Sequence, residues 1–165
     1  MIQWREATAA DIPVIQTIAA ITWEPTYVPI IGQAQVEYML STMYSTTTLG
    51  TQMADGQRFL ILLVEGKDVG FAGFGSEDTA GAIYKLHKLY LLPEVQGMGL
   101  GRYLIETVMD QVKQAGAKHL LLNVNRANPA LHFYQKIGFK IKETVDIEIG
   151  NGFFMNDYIM EISIP

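Results

Sequence analysis

The 165-residue sequence contains no cysteine, which excludes disulfides, thiolate metal ligands and thiol nucleophiles. That absence agrees with a reducing compartment, and a cytoplasmic protein is expected. No apolar run reaches the length of a membrane-spanning helix, about 18 residues. The opening MIQWREATAADIP carries charges and a proline where a secretory leader would have its apolar stretch. Basic residues are also in short supply: 12 Lys and Arg stand against 17 Asp and Glu, a formal net charge of −5. Nucleic acid and anionic membranes would require a basic patch, so neither is expected as a partner, and the acidity favours cationic ones. Repeats, low-complexity segments and linkers are missing too.

What is present is apolar: 49% of residues are hydrophobic, enough for the core of one ordinary domain spanning 1–165. IQWREA alternates as a short strand. Asp11 caps a helix carrying Ile12, Ile15, Ile18, Ala19 and Trp23 on one face. TWEPTYVPIIG is expected to be irregular, because Pro25, Pro29 and Gly32 interrupt it. QAQVEYMLSTMY reads as a second helix. RFLILLVEG and DVGFAGFGS read as a hairpin turning at Glu65-Gly66-Lys67-Asp68, followed by a longer strand, AIYKLHKLYLLP.

Leu100 to Ala115 is helical, with Leu104, Ile105, Val108, Met109 and Val112 on one face and Gly116 ending it. HLLLNV reads as a parallel strand buried on both faces. Asn128-Pro129 caps the helix PALHFYQKI, which stops at Gly138. Two last strands flank GNG at 150–152. The pattern is mixed α/β: a meander, a β-α-β-α unit and a closing hairpin.

Between the long strand and the third helical segment stands LYLLPEVQGMGLGRYL, with Gly97, Gly99 and Gly101 within five positions. Glycine costs backbone entropy, so three together need a reason. A strand feeding a glycine-rich turn and a helix N-terminus makes an anion site, because the free N–H groups and the helix dipole both favour negative charge. The spacing G-x-G-x-G matches neither the dinucleotide fingerprint nor the P-loop. The alternative is a purely structural turn.

QGMGLG resembles motif A, Q/R-x-x-G-x-G/A, of the GNAT family of N-acetyltransferases, with Gln96, Gly99 and Gly101 on the signature positions. NVNRANPALHFYQKIGF is similar to that family's second motif, an Asn-led helix with a tyrosine that ends in Gly-Phe. The pairing of LYLLPE-x-QG-x-G with NGFFMNDYIM resembles, more narrowly, the bacterial polyamine acetyltransferase-like branch. The resemblance implies a mixed, mostly antiparallel twisted sheet with a central parallel strand pair and helices on both faces. It implies acetyl transfer from acetyl-CoA to an amine, without a metal. A polyamine or other small amine is the expected acceptor, and a protein N-terminus or lysine the alternative. A non-catalytic acyl-CoA sensor is a further alternative. A homodimer covering the closing hairpin is also expected.

By the same resemblance, the pyrophosphate is held by main-chain groups of Gln96, Gly97, Met98, Gly99, Leu100, Gly101 and Arg102, and the pantetheine arm lies along Leu89, Tyr90 and Leu91. Asn128 contacts the pantetheine amides. Many relatives carry this asparagine one residue earlier, where Ala127 stands, and Asn123 is the alternative contact. Tyr134 is expected to protonate the leaving thiolate; a phenol of pKa about 10 suits that task. The base that deprotonates the amine is open among His87, placed by strand alternation on the face of Leu89, Glu24 in its loop, Asp157 and water. Trp23, Tyr27, Tyr38 and Met39 are expected to wall the acceptor site, where aromatics beside carboxylates suit a cation.

Overall fold

The first helix, α1 (Ile12–Ile31), runs straight through Pro25 and Pro29 in the computed structural model, which describes residues 1–165. The expected irregular stretch is therefore helical. Each proline removes one N–H from the ladder and frees the carbonyl four residues back, on Ile21 and Pro25. Ile21, Pro25 and Pro29 are all exposed, so water takes those carbonyls. Trp23, on the opposite face, is buried, and packing there holds the helix together. Gly32, at φ +85°, turns the chain into α2 (Gln33–Met43). Ser45 then caps α3 (Thr46–Ala54), its hydroxyl accepting from the Thr48 N–H at 3.1 Å. This third helix went unread because TTTLGTQMA has few strong helix formers.

Seven strands follow the order β1-β2-β3-β4-β5-β7-β6. They are β1 (Ile2–Glu6), β2 (Arg58–Val64), β3 (Lys67–Ser76), β4 (Ile83–Leu91), β5 (His119–Asn125), β6 (Lys140–Gly150) and β7 (Phe153–Ser163). Only β4 and β5 pair in parallel; every other pair is antiparallel. The remaining helices are α4 (Leu100–Gln114) and α5 (Ala130–Ile137). The sheet and its parallel pair match the architecture implied by the family resemblance.

Two apolar clusters fill the two faces of the sheet. Leu104, Ile105, Val108 and Val112 of α4 pack with Leu86, Leu120, Leu122 and Met160. On the other face, Ile15, Ala19, Val36 and Leu49 of the first three helices pack with Phe59, Ile61 and Phe71. β5 is not buried on both sides: Leu120, Leu122 and Val124 enter the first cluster, while Asn123 and Asn125 stay half-buried on the opposite face. Those two polar residues mark where the second face opens.

Candidate functional site

β4 and β5 pair only from Ile83–His119 to Leu86–Leu122. Beyond that, β4 stays with β3 and β5 with β7. The strands part, and the β5-facing edge of β4 has no strand partner there. A cleft of about 530 Å³ opens in the gap. Leu89, Tyr90, Leu91, Gln96, Gly97, Gly99, Leu100, Gly101, Arg102, Asn123, Asn128 and Tyr134 all line it. Met98 does not; the residue is 60% exposed, leaving only its main chain for the expected contact.

The three glycines divide the work. Gly97 and Gly99 have φ of +81° and +76°, and a Cβ on either would meet nothing within 4 Å. They supply left-handed backbone beside open space. Gly101 has ordinary geometry; a Cβ there would lie 3.3 Å from the Phe133 ring and 3.6 Å from Leu91, so its role is close packing of α4 on α5. Gly99 caps α4 with no side chain, and the first intrahelical donor is the Tyr103 N–H, to Gly99 O at 3.1 Å. The N–H groups of Leu100, Gly101 and Arg102 thus face the cleft mouth with no protein acceptor, at the positive end of a 15-residue helix. Gln96 ties the loop to the strand, its Nε2 donating to Leu91 O at 3.1 Å. Arg102 donates to Glu106 at 2.7 Å on the exposed face of α4. This cradle, with the free edge of β4, fits the pyrophosphate and amide arm of a CoA thioester.

A second chamber of about 320 Å³ adjoins the first and shares Tyr27, Leu86, His87, Lys88, Tyr90 and Asn123 with it. Trp23, Tyr27 and Met39 line it as expected. Tyr38 does not: its hydroxyl donates to Ile149 O at 2.7 Å and its ring packs at a tilt against Phe153, bracing α2 against the last hairpin. Glu24 lines neither chamber, because helical geometry turns it outward beside Pro25.

His87 is in place but not in the expected orientation. Gly73 pairs with Lys88 and Phe74 with Leu86, so His87 is an extra residue in β4. A bulge of this kind reverses the alternation. Leu86, Leu89 and Leu91 therefore pack on the α4 side, whereas Lys88 and Tyr90 face α1. Burial, then Lys85 and Lys88, push the imidazole down to about 4. Glu77 lies 3.5 Å from Nε2 but is 38% exposed, and solvent weakens its opposing pull. A neutral imidazole of such low basicity, between two lysines, is poorly suited to deprotonating an ammonium group.

Asp157 on β7 is 4% exposed and lines the second chamber. Burial raises its carboxyl above the ordinary 3.8, although Asn123, Lys85 and Arg126 pull the other way. A raised carboxylate is a stronger base. Across the cleft, burial holds the Tyr134 phenol well above its ordinary value, with Tyr27 adding to the effect. It therefore remains protonated at neutral pH. Between them Tyr27 and Tyr90 share a hydroxyl–hydroxyl hydrogen bond of 3.1 Å. Asn128 Oδ1 accepts from the Ala130 N–H at 3.0 Å, which is the cap expected of it.

The profile of the family described as acetyltransferase (GNAT) domain matches residues 55–141. The spermidine N(1)-acetyltransferase of Thermoplasma acidophilum is 27% identical over 146 residues, covering 87% of this chain and 91% of that protein. An uncharacterized N-acetyltransferase of Bacillus subtilis, YuaI, is 30% identical over 145 residues, covering 82% of this chain and 78% of its own. Among solved structures, the PaiA N-acetyltransferase of Thermoplasma acidophilum in complex with coenzyme A superposes with a TM-score of 0.83 at 25% identity, over 99% of each chain.

Proposed function

The chain belongs to the GNAT family and is an acetyl-CoA-dependent N-acetyltransferase, and on that premise we propose that it acetylates a small primary amine held in the second chamber. The observation that carries this reading is the joining of two differently built chambers: one has an anion cradle and a free strand edge, the other a buried carboxylate. A chamber of about 320 Å³ is of small-molecule size. The similarity to the spermidine N(1)-acetyltransferase of Thermoplasma acidophilum supports a small-amine acceptor.

Acetyl-CoA supplies an acyl group activated as a thioester. Leu100, Gly101 and Arg102 N–H groups hold the pyrophosphate, and the free edge of β4 at Leu89–Leu91 aligns the arm and polarises the acyl oxygen. Asp157 takes the proton of the acceptor ammonium. Tyr134 donates its phenolic proton to the departing sulfur and is reprotonated from solvent. The protein forms no covalent bond of its own; it positions the groups and moves protons. A homodimer covering the open β6 edge, where Ile141 and Ile147 are exposed, belongs to the same reading and is tested by light scattering.

CoA-thiol release with a panel of amines at saturating acetyl-CoA tests the activity. Amine-dependent release above hydrolysis is expected. Acetyl-CoA binding without release for any amine would favour an acyl-CoA sensor.

A further inference from the structure

The second chamber holds a charge that the mechanism does not use. Lys88 is 8% exposed. Its Nζ donates to Gln52 Oε1 at 3.0 Å and lies 5.6 Å and 5.4 Å from the Tyr44 and Phe59 ring centroids. No carboxylate reaches it within 4 Å. A buried ammonium group with one amide acceptor and two ring faces for three N–H donors is under-satisfied. Burial lowers it to about 8, leaving it mostly charged at neutral pH. Lys85 lines the same chamber, so two cations face one carboxylate, Asp157. Glu77, on His87, is not part of the lining.

The two signs sit on opposite walls. Lys88 lies on β4 and Asp157 on β7, with only β5 between them, and both side chains project from the face that α1 covers. Lys88 lies beyond the last β4–β5 pair, Leu86–Leu122, and Asp157 pairs with Asn125 at the end of β5, so the two stand where the strands have parted. The Lys88 ammonium turns toward Gln52 and Phe59, away from Asp157, and the chamber of about 320 Å³ that both line leaves room for a short dipolar molecule between them. Ile31, Met39, Met43, Ile147 and Met155 add an apolar stretch of wall beside the amides of Gln35, Gln52, Asn123 and Asn125.

We infer that Lys88 receives an acceptor carboxylate while Asp157 receives its amine, so that the acceptor is an α-amino acid with an apolar side chain and not a polyamine. This rests on the acetyl-transfer reading above. A polyamine would bring several positive charges against two lysines and find one carboxylate. An amino acid adds no net charge, pairs its amine with Asp157 and supplies Lys88 with its missing acceptors through its carboxylate.

The test compares L-leucine, L-leucinamide and spermidine, by CoA-thiol release and by calorimetric titration into protein with and without CoA. Leucine is expected to exceed leucinamide at least tenfold in kcat/KM and in affinity, although the amide has the more readily deprotonated amine. In Lys88→Met that preference should shrink to within about twofold, and Lys88→Arg should retain part of it. An unchanged acetyl-CoA Kd in both variants reports that they are folded. Equal use of leucine and leucinamide, a preference for spermidine, or a leucine preference that survives Lys88→Met overturns the inference while leaving acetyl transfer standing. Failure of the parent to bind acetyl-CoA defeats the acetyl-transfer reading instead, and the leucine–leucinamide titration still decides the anion site.

Discussion

Asn123 donates its side-chain amide to Asp157 Oδ2 at 3.3 Å, while its own carbonyl oxygen is buried without a partner. One bond thus orients the carboxylate and leaves a buried acceptor unpaired beside it. With ionised Asp157 as the proposed base, the rate should rise as pH climbs through its pKa, which burial places above 3.8. Asp157→Asn keeps the shape and removes the base. Turnover is expected to fall about 10²- to 10⁴-fold, with the acidic limb of the pH–rate profile lost. A variant with the parental limb would return the base role to water.

Gly99→Asp puts a side chain and a negative charge on left-handed backbone at the N-terminus of α4. Acetyl-CoA affinity should drop by more than about tenfold, or 1.4 kcal/mol, measured by calorimetry. Gly101→Ala probes the other kind of glycine. Its Cβ crowds Phe133 at 3.3 Å, so it should cost stability more than affinity. If a folded Gly99→Asp protein bound as tightly as the parent, the cradle would be misplaced.

Tyr134→Phe removes one hydroxyl and keeps the ring contacts with Phe133 and Phe139. Turnover should fall about 10²- to 10⁴-fold with the acetyl-CoA Kd unchanged. Loss of both together would show that the residue packs and does not donate.

His87 contributes to stability through its charge state. Its folded pKa of about 4 lies below the ordinary 6.5, so between those values the unfolded chain binds the extra proton. Stability should therefore decline as pH falls from 6.5 toward 4. His87→Gln should flatten that part of a thermal-melting series. An equally steep decline in the variant would assign the acid sensitivity to other groups.

Much of the molecule was legible before folding was considered. The β2–β3 hairpin, the amphipathic α4 and the capped α5 rest on local rules: a two-residue turn at Glu65-Gly66, a 3.6-residue stripe, Asn128 before proline. The glycine loop was legible for the same reason, since left-handed backbone beside a helix start is written in residue type. α1 was not, because the cost of Pro25 and Pro29 depends on which way their freed carbonyls face, and only packing of Trp23 turns them to water.

The face of β4 that lines the two chambers was decided by tertiary contact. One unpaired residue at His87 reverses the alternation of β4, and nothing in LHKLYLL announces which residue the bulge will take. Lys88 reads in sequence as an ordinary strand lysine, and becomes a buried charge only when Tyr44, Gln52 and Phe59 close around it. The sequence alone determined the family, the glycine cradle and the tyrosine helix, because short-range rules place them. Which carboxylate, which lysine and which tyrosine share the second chamber was settled by strands far apart in the chain meeting across β5, where register and burial, not spacing, set position and charge.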